Sequence, residues 1–331
     1  MNMQSWLQGL PVAKGGKPLP LLSFPSVSLL GVSVYDLTHS ADLQVSGMVE
    51  VAKRTDAAAS VSMMDLSVEA EAFGCRIVTS ENEVPTVTGA LISDLEEAEA
   101  LAVPQVGSGR TSIYLEAAAG AKARISDRPV LAGIIGPFSL AGRLMDVSEA
   151  LTNCIAEPEF VHATLEKTTQ FLLRYAQAYR EAGVDGVVVA EPLAGLLSPA
   201  LEEEFSAPYL RRMTQELLGE EFAVLYHDCG PNVHLMTQSI SGIGASAYHF
   251  GDASDMTVML EKMPRDCLVC GNISPSQFFL NGTPESIYRA TRELLDRVSG
   301  YENFVLSSGC DIPPASPWEN IDAFFRAARG E

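Results

Sequence analysis

His227-x-Cys229 and a distant Cys310 are the residues of this chain whose types and spacing best suit chemistry. In an extended strand residues i and i+2 share a face, so His227 and Cys229 project together while Asp228 points away. Cys310 closes a second apolar run, Asn303-Phe-Val-Leu-Ser-Ser-Gly309. One imidazole and two thiolates form a donor set for Zn²⁺, with a fourth position open to a substrate. Taken singly, each of the three reads equally well as a buried structural residue, because free Cys is among the most buried types. Their convergence at strand ends makes His227, Cys229 and Cys310 the expected metal ligands.

The elements that must position them are short apolar runs bounded by turn residues. Eight are expected as strands: Leu19–Phe24, Ser60–Asp65, Pro129–Gly136, Gly186–Ala190, Phe222–Cys229, Ala245–Phe250, Cys267–Asn272 and Phe304–Ser308. Most lack strict alternation, as strands buried on both faces do. Helix-period segments separate them, several opened by caps or first-turn prolines such as Ser198-Pro199, Thr283-Pro284 and Ser316-Pro317. Eight strands alternating with helices is the count of a (β/α)8 TIM barrel, an α/β fold, and no Gly-rich phosphate fingerprint argues for a doubly wound sheet. The chain is read as one domain, residues 1–331. An insertion after strand two, about residues 67–127, is expected to carry a hairpin around Glu81-Asn82-Glu83 and to sit above the barrel mouth.

In such a barrel the chemistry lies at the C-terminal ends of the strands. Polar residues gather there: Asp65, Glu191, His249, Asp252, Asn272 and Asp311 alongside the three ligands. Asp65 and Glu191 are the expected catalytic carboxylates, and Asp252 also points to the mouth; for Glu191 and Asp252 a helix-capping acid is the plain alternative. Asp228, His234 and Asp311 are candidates for orienting the ligands. Cys267-x-x-Cys270 is a rival metal pair by spacing, but i and i+3 face opposite ways in a strand, which leaves Cys270 as a spare thiol near the mouth. His39 and His162 have no placement that argues chemistry.

Composition narrows the class. Hydrophobic residues make up 47% and aromatics 7%, as in a globular protein built on Ala, Val and Leu. With 42 acidic against 22 basic residues the charge is −20, which repels nucleic acid and anionic membrane surfaces. No run of ~18 apolar residues predicts a membrane span, and the N-terminus lacks a secretory pattern, so a cytoplasmic location is expected. Six cysteines in a chain this long suit metal binding or burial better than a disulfide framework.

The chain resembles the uroporphyrinogen decarboxylase superfamily, in its branch of zinc-dependent corrinoid methyltransferases typified by methylcobamide:coenzyme M methyltransferases. The marks are Ile135-Gly-Pro-Phe-Ser-Leu-Ala141, Ala190-Glu-Pro192 with Leu197-Ser-Pro199, His227-Asp-Cys-Gly230, Gly271-Asn272 and Leu306-Ser-Ser-Gly-Cys-Asp-Ile-Pro-Pro314. The branch's zinc motif maps onto His227, Cys229 and Cys310, and cobalamin-independent methionine synthase has a similar pattern. Decarboxylases of the superfamily carry an early Arg-rich signature; Phe24–Gly31 here has no arginine. Porphyrinogen decarboxylation is therefore not expected, although Asp65 falls near that family's catalytic aspartate.

The resemblance implies zinc, a corrinoid carried on a partner protein, and methyl transfer to a thiol or tetrahydrofolate-type acceptor. The opposite half-reaction, from a small-molecule methyl donor to the corrinoid, fits the same residues, as does a non-catalytic zinc or corrinoid-binding protein. An anionic thiol acceptor wants a basic contact, and Arg143 is the candidate near the mouth.

Overall fold

The computed structural model describes all 331 residues. Nine strands occur in chain order: β1 Ser60–Val61, β2 Arg76–Val78, β3 Thr86–Thr88, β4 Val130–Ile135, β5 Gly186–Ala190, β6 Ala223–Asp228, β7 Ala247–Phe250, β8 Val269–Ile273 and β9 Phe304–Ser308. Seven of them form one parallel sheet in the order β1-β4-β5-β6-β7-β8-β9, while β2 and β3 pair antiparallel on their own. Each step between neighbours in the large sheet passes through helix. That alternation curls the sheet into a barrel-like α/β fold with helices outside.

The curl has two apolar faces. Outward-facing residues such as Val187, Val189, Val224 and Tyr226 join the helices in a cluster that runs from Leu22 to Phe325. Inward-facing ones, including Leu131, Val188, Ala190, Ala223, Leu225, Ala247, Cys270 and Val305, form a smaller cluster with little besides each other. Small side chains such as Ala and Cys recur among them, because a narrow interior has no room for large side chains on every strand. The N-terminal helix Met3–Gln8 closes one end of this interior, with Met3 buried in the inner cluster and the Trp6 indole donating to the Ala58 carbonyl.

Two expectations need correction. Leu19–Phe24 is not a strand; it lies extended across the seam between the sheet's two edges. Leu19 N donates to Leu306 O of β9 at 2.8 Å, and Ala58 N, just before β1, donates to Pro18 O at 2.8 Å. Leu21 N donates to the Ser308 hydroxyl, and Leu21 O accepts from Ile312 N. Prolines at 18 and 20 remove the donors that a regular ladder needs. The observed sheet therefore has seven strands where eight were expected.

The stretch 67–127 is also not set apart as a unit. The hairpin is present as β2 and β3, but helix Thr111–Arg124 packs directly on helix Ala41–Arg54 and on β4, as a crossover helix should. Gly120 marks that contact, since a Cβ there would meet Val45 Cγ2 at 2.7 Å. No helix is long and apolar enough to cross a membrane.

Candidate metal centre and its surroundings

The ends of β6 and β9 bring the three expected ligands together. His227 occupies the penultimate position of β6, Cys229 follows that strand, and Cys310 lies two residues beyond β9. The ligand atoms of His227, Cys229 and Cys310 lie within 4.8 Å of one another, and Cys310 Sγ is 3.4 Å from His227 Nε2. A tetrahedral zinc with ordinary Zn–S and Zn–N lengths separates its ligand atoms by about 3.5–3.8 Å. The donor set and its spacing thus fit that ion. Gly251 makes room for Cys229: a Cβ there would stand 2.5 Å from Cys229 Cα and Cβ.

The thiols are already polarised against each other. Cys229 is driven well below the ordinary thiol range, chiefly by a hydrogen bond from Cys310; Cys310 is driven up correspondingly. A thiol paired in this way ionises more readily than an isolated one. Such a site yields a metal-ready thiolate at neutral pH.

Behind His227 lies His249, which the sequence placed among the strand-end polar residues without assigning it a role. His227 and His249 are register partners on β6 and β7, and their Nδ1 atoms are 2.7 Å apart. The far nitrogen of His249, Nε2, is 2.7 Å from the Ser307 hydroxyl, which donates to Leu19 O at 2.6 Å. All of these side chains are buried. A His at the same depth of the next strand was a visible signal, because alternation turns both residues inward once the register is known.

The two expected catalytic carboxylates are occupied elsewhere. Asp65, just past β1, has a fully buried side chain; Oδ2 accepts from Arg110 Nη1 at 2.5 Å and from Tyr114 OH at 2.9 Å, and Oδ1 accepts from Ser67 N and Oγ. Arg110 in turn donates to Glu71 at 2.6 Å. Glu191 accepts the backbone N–H groups of Phe138 and Ser139, capping helix Pro137–Met145, and burial pushes its carboxyl up to about 8. Gly136 is required beside it, since a Cβ would meet Glu191 Oε2. Neither carboxylate has a lone pair aimed at an open site, and the capping alternative describes Glu191 well.

The remaining candidates separate clearly. Asp228 points away from the ligands, accepts from Tyr226 OH and Gly230 N, and is pushed up to about 7 by burial. Asp311 is also raised by burial, with Oδ1 unpartnered. Asp252 lies under Gly309, and Asn272 donates to Gly251 O and Ser254 O, so both shape the turns around the centre. His234 is turned to its own loop, His39 stacks on Tyr35 and His162 on Phe205. Cys267 packs toward the outer cluster and Cys270 lies in the inner one, so the pair does not chelate. Arg143 is half-buried and makes no ion pair.

A curled parallel sheet with a His-Cys-Cys cluster at its strand ends defines the class as a barrel-like α/β protein. The family model described as uroporphyrinogen decarboxylase (URO-D) matches residues 26–330, and the chain belongs to that family. Among curated relatives, the methylcobamide:CoM methyltransferase MtbA of Methanosarcina acetivorans is 27% identical over 271 residues, 80% of this chain and 77% of that protein. A methyltransferase from Methanosarcina mazei superimposes with a TM-score of 0.86 at 24% identity, covering 100% of this chain and 99% of its own. A B12-independent methionine synthase from Shewanella sp. W3-18-1 shares the fold at a TM-score of 0.61 and 13% identity, over 95% of this chain and 96% of that one.

Proposed function

We propose that this protein is a zinc-dependent methyltransferase that moves a methyl group between a corrinoid on a partner protein and a small thiol, acting as a single barrel-like α/β domain in the cytoplasm. The observation that carries the reading is the His227, Cys229 and Cys310 cluster, with ligand atoms within 4.8 Å at the strand ends of a fold whose relatives act on methylcobamide. Zinc held there supplies Lewis acidity, which keeps an acceptor thiol as its nucleophilic thiolate near neutral pH. In the transfer the thiol gives up its proton to solvent, its sulfur forms the new bond to the methyl carbon, and the carbon–cobalt bond breaks with its electron pair left on cobalt.

The chain's own residues supply the rest. His227, Cys229 and Cys310 hold the ion, and two anionic ligands leave it little net positive charge, which favours a reactive sulfur over a merely bound one. Arg143, half-buried without an ion-pair partner, is the candidate contact for an anionic acceptor. Glu191 and Asp65 support loops and perform no proton transfer in this reading. A tetrahydrofolate-type acceptor would use the same centre.

Metal analysis of the purified protein should give one zinc per chain, and the spectrum of added methylcobalamin should convert to that of cob(I)alamin when a thiol is supplied. Cys310→Ala should lose both. Zinc-free wild-type protein, or a Cys310→Ala variant that turns over normally, would overturn the proposal. Methylation of added cob(I)alamin by an ether or amine, with no thiol turnover, would reverse the direction assigned here.

A further inference from the structure

The carbonyl of Leu19 lies on the irregular segment that crosses the seam of the sheet, and a line of buried hydrogen bonds runs from it to the metal centre. Ser307 Oγ is 2.6 Å from Leu19 O, His249 Nε2 is 2.7 Å from Ser307 Oγ, and His227 Nδ1 is 2.7 Å from His249 Nδ1. A carbonyl only accepts, so the single Ser307 hydroxyl proton points at Leu19. Ser307 must then accept from His249, which places the His249 proton on Nε2 and leaves its Nδ1 as a lone pair. His227 must donate from Nδ1 to that lone pair, and its own Nε2, 3.4 Å from Cys310 Sγ, is left unprotonated.

A second contact agrees with this direction. His227 Nδ1 is also 3.3 Å from the His249 backbone carbonyl, which can only be met by a donor. Reversing the chain would leave Leu19 O without its hydroxyl donor and set a His227 lone pair against the His249 carbonyl. Both are costly in a buried site.

We propose that His249 and Ser307 are positioning residues that hold His227 in the tautomer whose Nε2 lone pair faces the two cysteines, so that the metal-binding form of the imidazole is set before the ion arrives. The relay rests on the zinc reading for its purpose, but the proton positions do not. It also gives the extended Leu19–Phe24 segment a role, since the seam that fails to form a ladder supplies the fixed acceptor at the end of the line.

The test begins with the metal-free wild-type protein labelled with ¹⁵N-histidine. Long-range ¹H–¹⁵N couplings should place the His227 proton on Nδ1 and the His249 proton on Nε2; the opposite assignment for either ring overturns the relay, whether or not the protein proves to bind zinc. Zinc affinity, measured by competition with a chromophoric chelator, should fall about 10–100-fold in Ser307→Ala and in His249→Leu, the range that such outer partners command. His249→Asn keeps an acceptor near the Nδ1 position and should recover most of the loss. Affinities of Ser307→Ala and His249→Leu within twofold of wild type, in folded protein, would refute a positioning role. Cobalt(II) substitution adds a spectroscopic check, since a reoriented His227 changes the ligand-field bands while a distant packing defect does not.

Discussion

Two buried polar networks sit at strand ends of the same sheet, and they differ in what they leave open. Beyond β1, Asp65, Ser67, Arg110, Glu71 and Tyr114 satisfy one another, and the Asp65 oxygens are filled from four donors. Beyond β6 and β9, the hydrogen bonds of His249 and Ser307 fix the proton on His227, whose Nε2 and the two sulfurs then converge on one another. The first network consumes its valences and the second directs them to a point. A charged cluster at a barrel mouth therefore marks a site only when its donors and acceptors fail to cancel.

Breaking the closed network should cost the most stability. Arg110 is buried with Asp65 and Glu71 as partners, so Arg110→Met strands a buried carboxylate and should lower unfolding free energy by about 3–5 kcal/mol. Urea unfolding measures this directly. Adding Asp65→Leu should return part of the loss, because a buried ion pair replaced by apolar groups is often tolerated. Zinc content should stay at wild-type level in Arg110→Met. Loss of turnover in Asp65→Asn, with zinc and stability intact, would break the comparison by giving Asp65 a part in the chemistry.

How much of this contrast the sequence carried depends on whether a feature is local. The period-2 rule put His227 and Cys229 on one face, and strand-end placement brought Cys310 to them, since both are properties of short runs. Arg110, in contrast, meets Asp65 across 45 positions in the chain, and no local spacing encodes that meeting. The same is true of His249: its depth in β7 was readable, but its pairing with His227 needs the register. Leu19–Phe24 failed for a legible reason, since Pro20 lies inside the run and argued against a ladder. The helix Thr111–Arg124 was drawn into an insertion because the hairpin before it hid where the crossover resumes.

A further effect concerns a buried carboxylate beside the closed network. Glu69 Oε1 accepts from Ile135 N at 3.1 Å, but Oε2 has no partner, and burial pushes the carboxyl up to about 8. In the unfolded chain it titrates near 4.5, so between about 4.5 and 8 the folded state binds the extra proton. Stability contributed through this group is therefore lost as pH rises across that window and is level below it. Glu69→Gln should flatten the decline without altering zinc content. Parallel curves of unfolding free energy against pH for wild type and variant would refute it.

The smallest effects should come from the cysteines that the open network leaves out, and they sharpen what makes a thiol part of it. Cys270 shares the depth of His249 in register, yet its thiol has no partner and is pushed up to about 12 by burial alone. Cys229, on the next layer out, is pulled down by the hydrogen bond from Cys310. Proximity to the centre is thus not sufficient; the sulfur must be met by a donor. Cys267→Ser should change stability by no more than about 0.5 kcal/mol, and Cys270→Ala by about 1 kcal/mol for its lost packing. Neither should alter zinc stoichiometry. Alkylation of metal-free protein near neutral pH should modify Cys229 first and spare Cys270, and zinc should protect Cys229. If Cys270 reacts as fast as Cys229, the polarity of the inner face is not confined to the strand ends, and a partnered sulfur is not what distinguishes the centre.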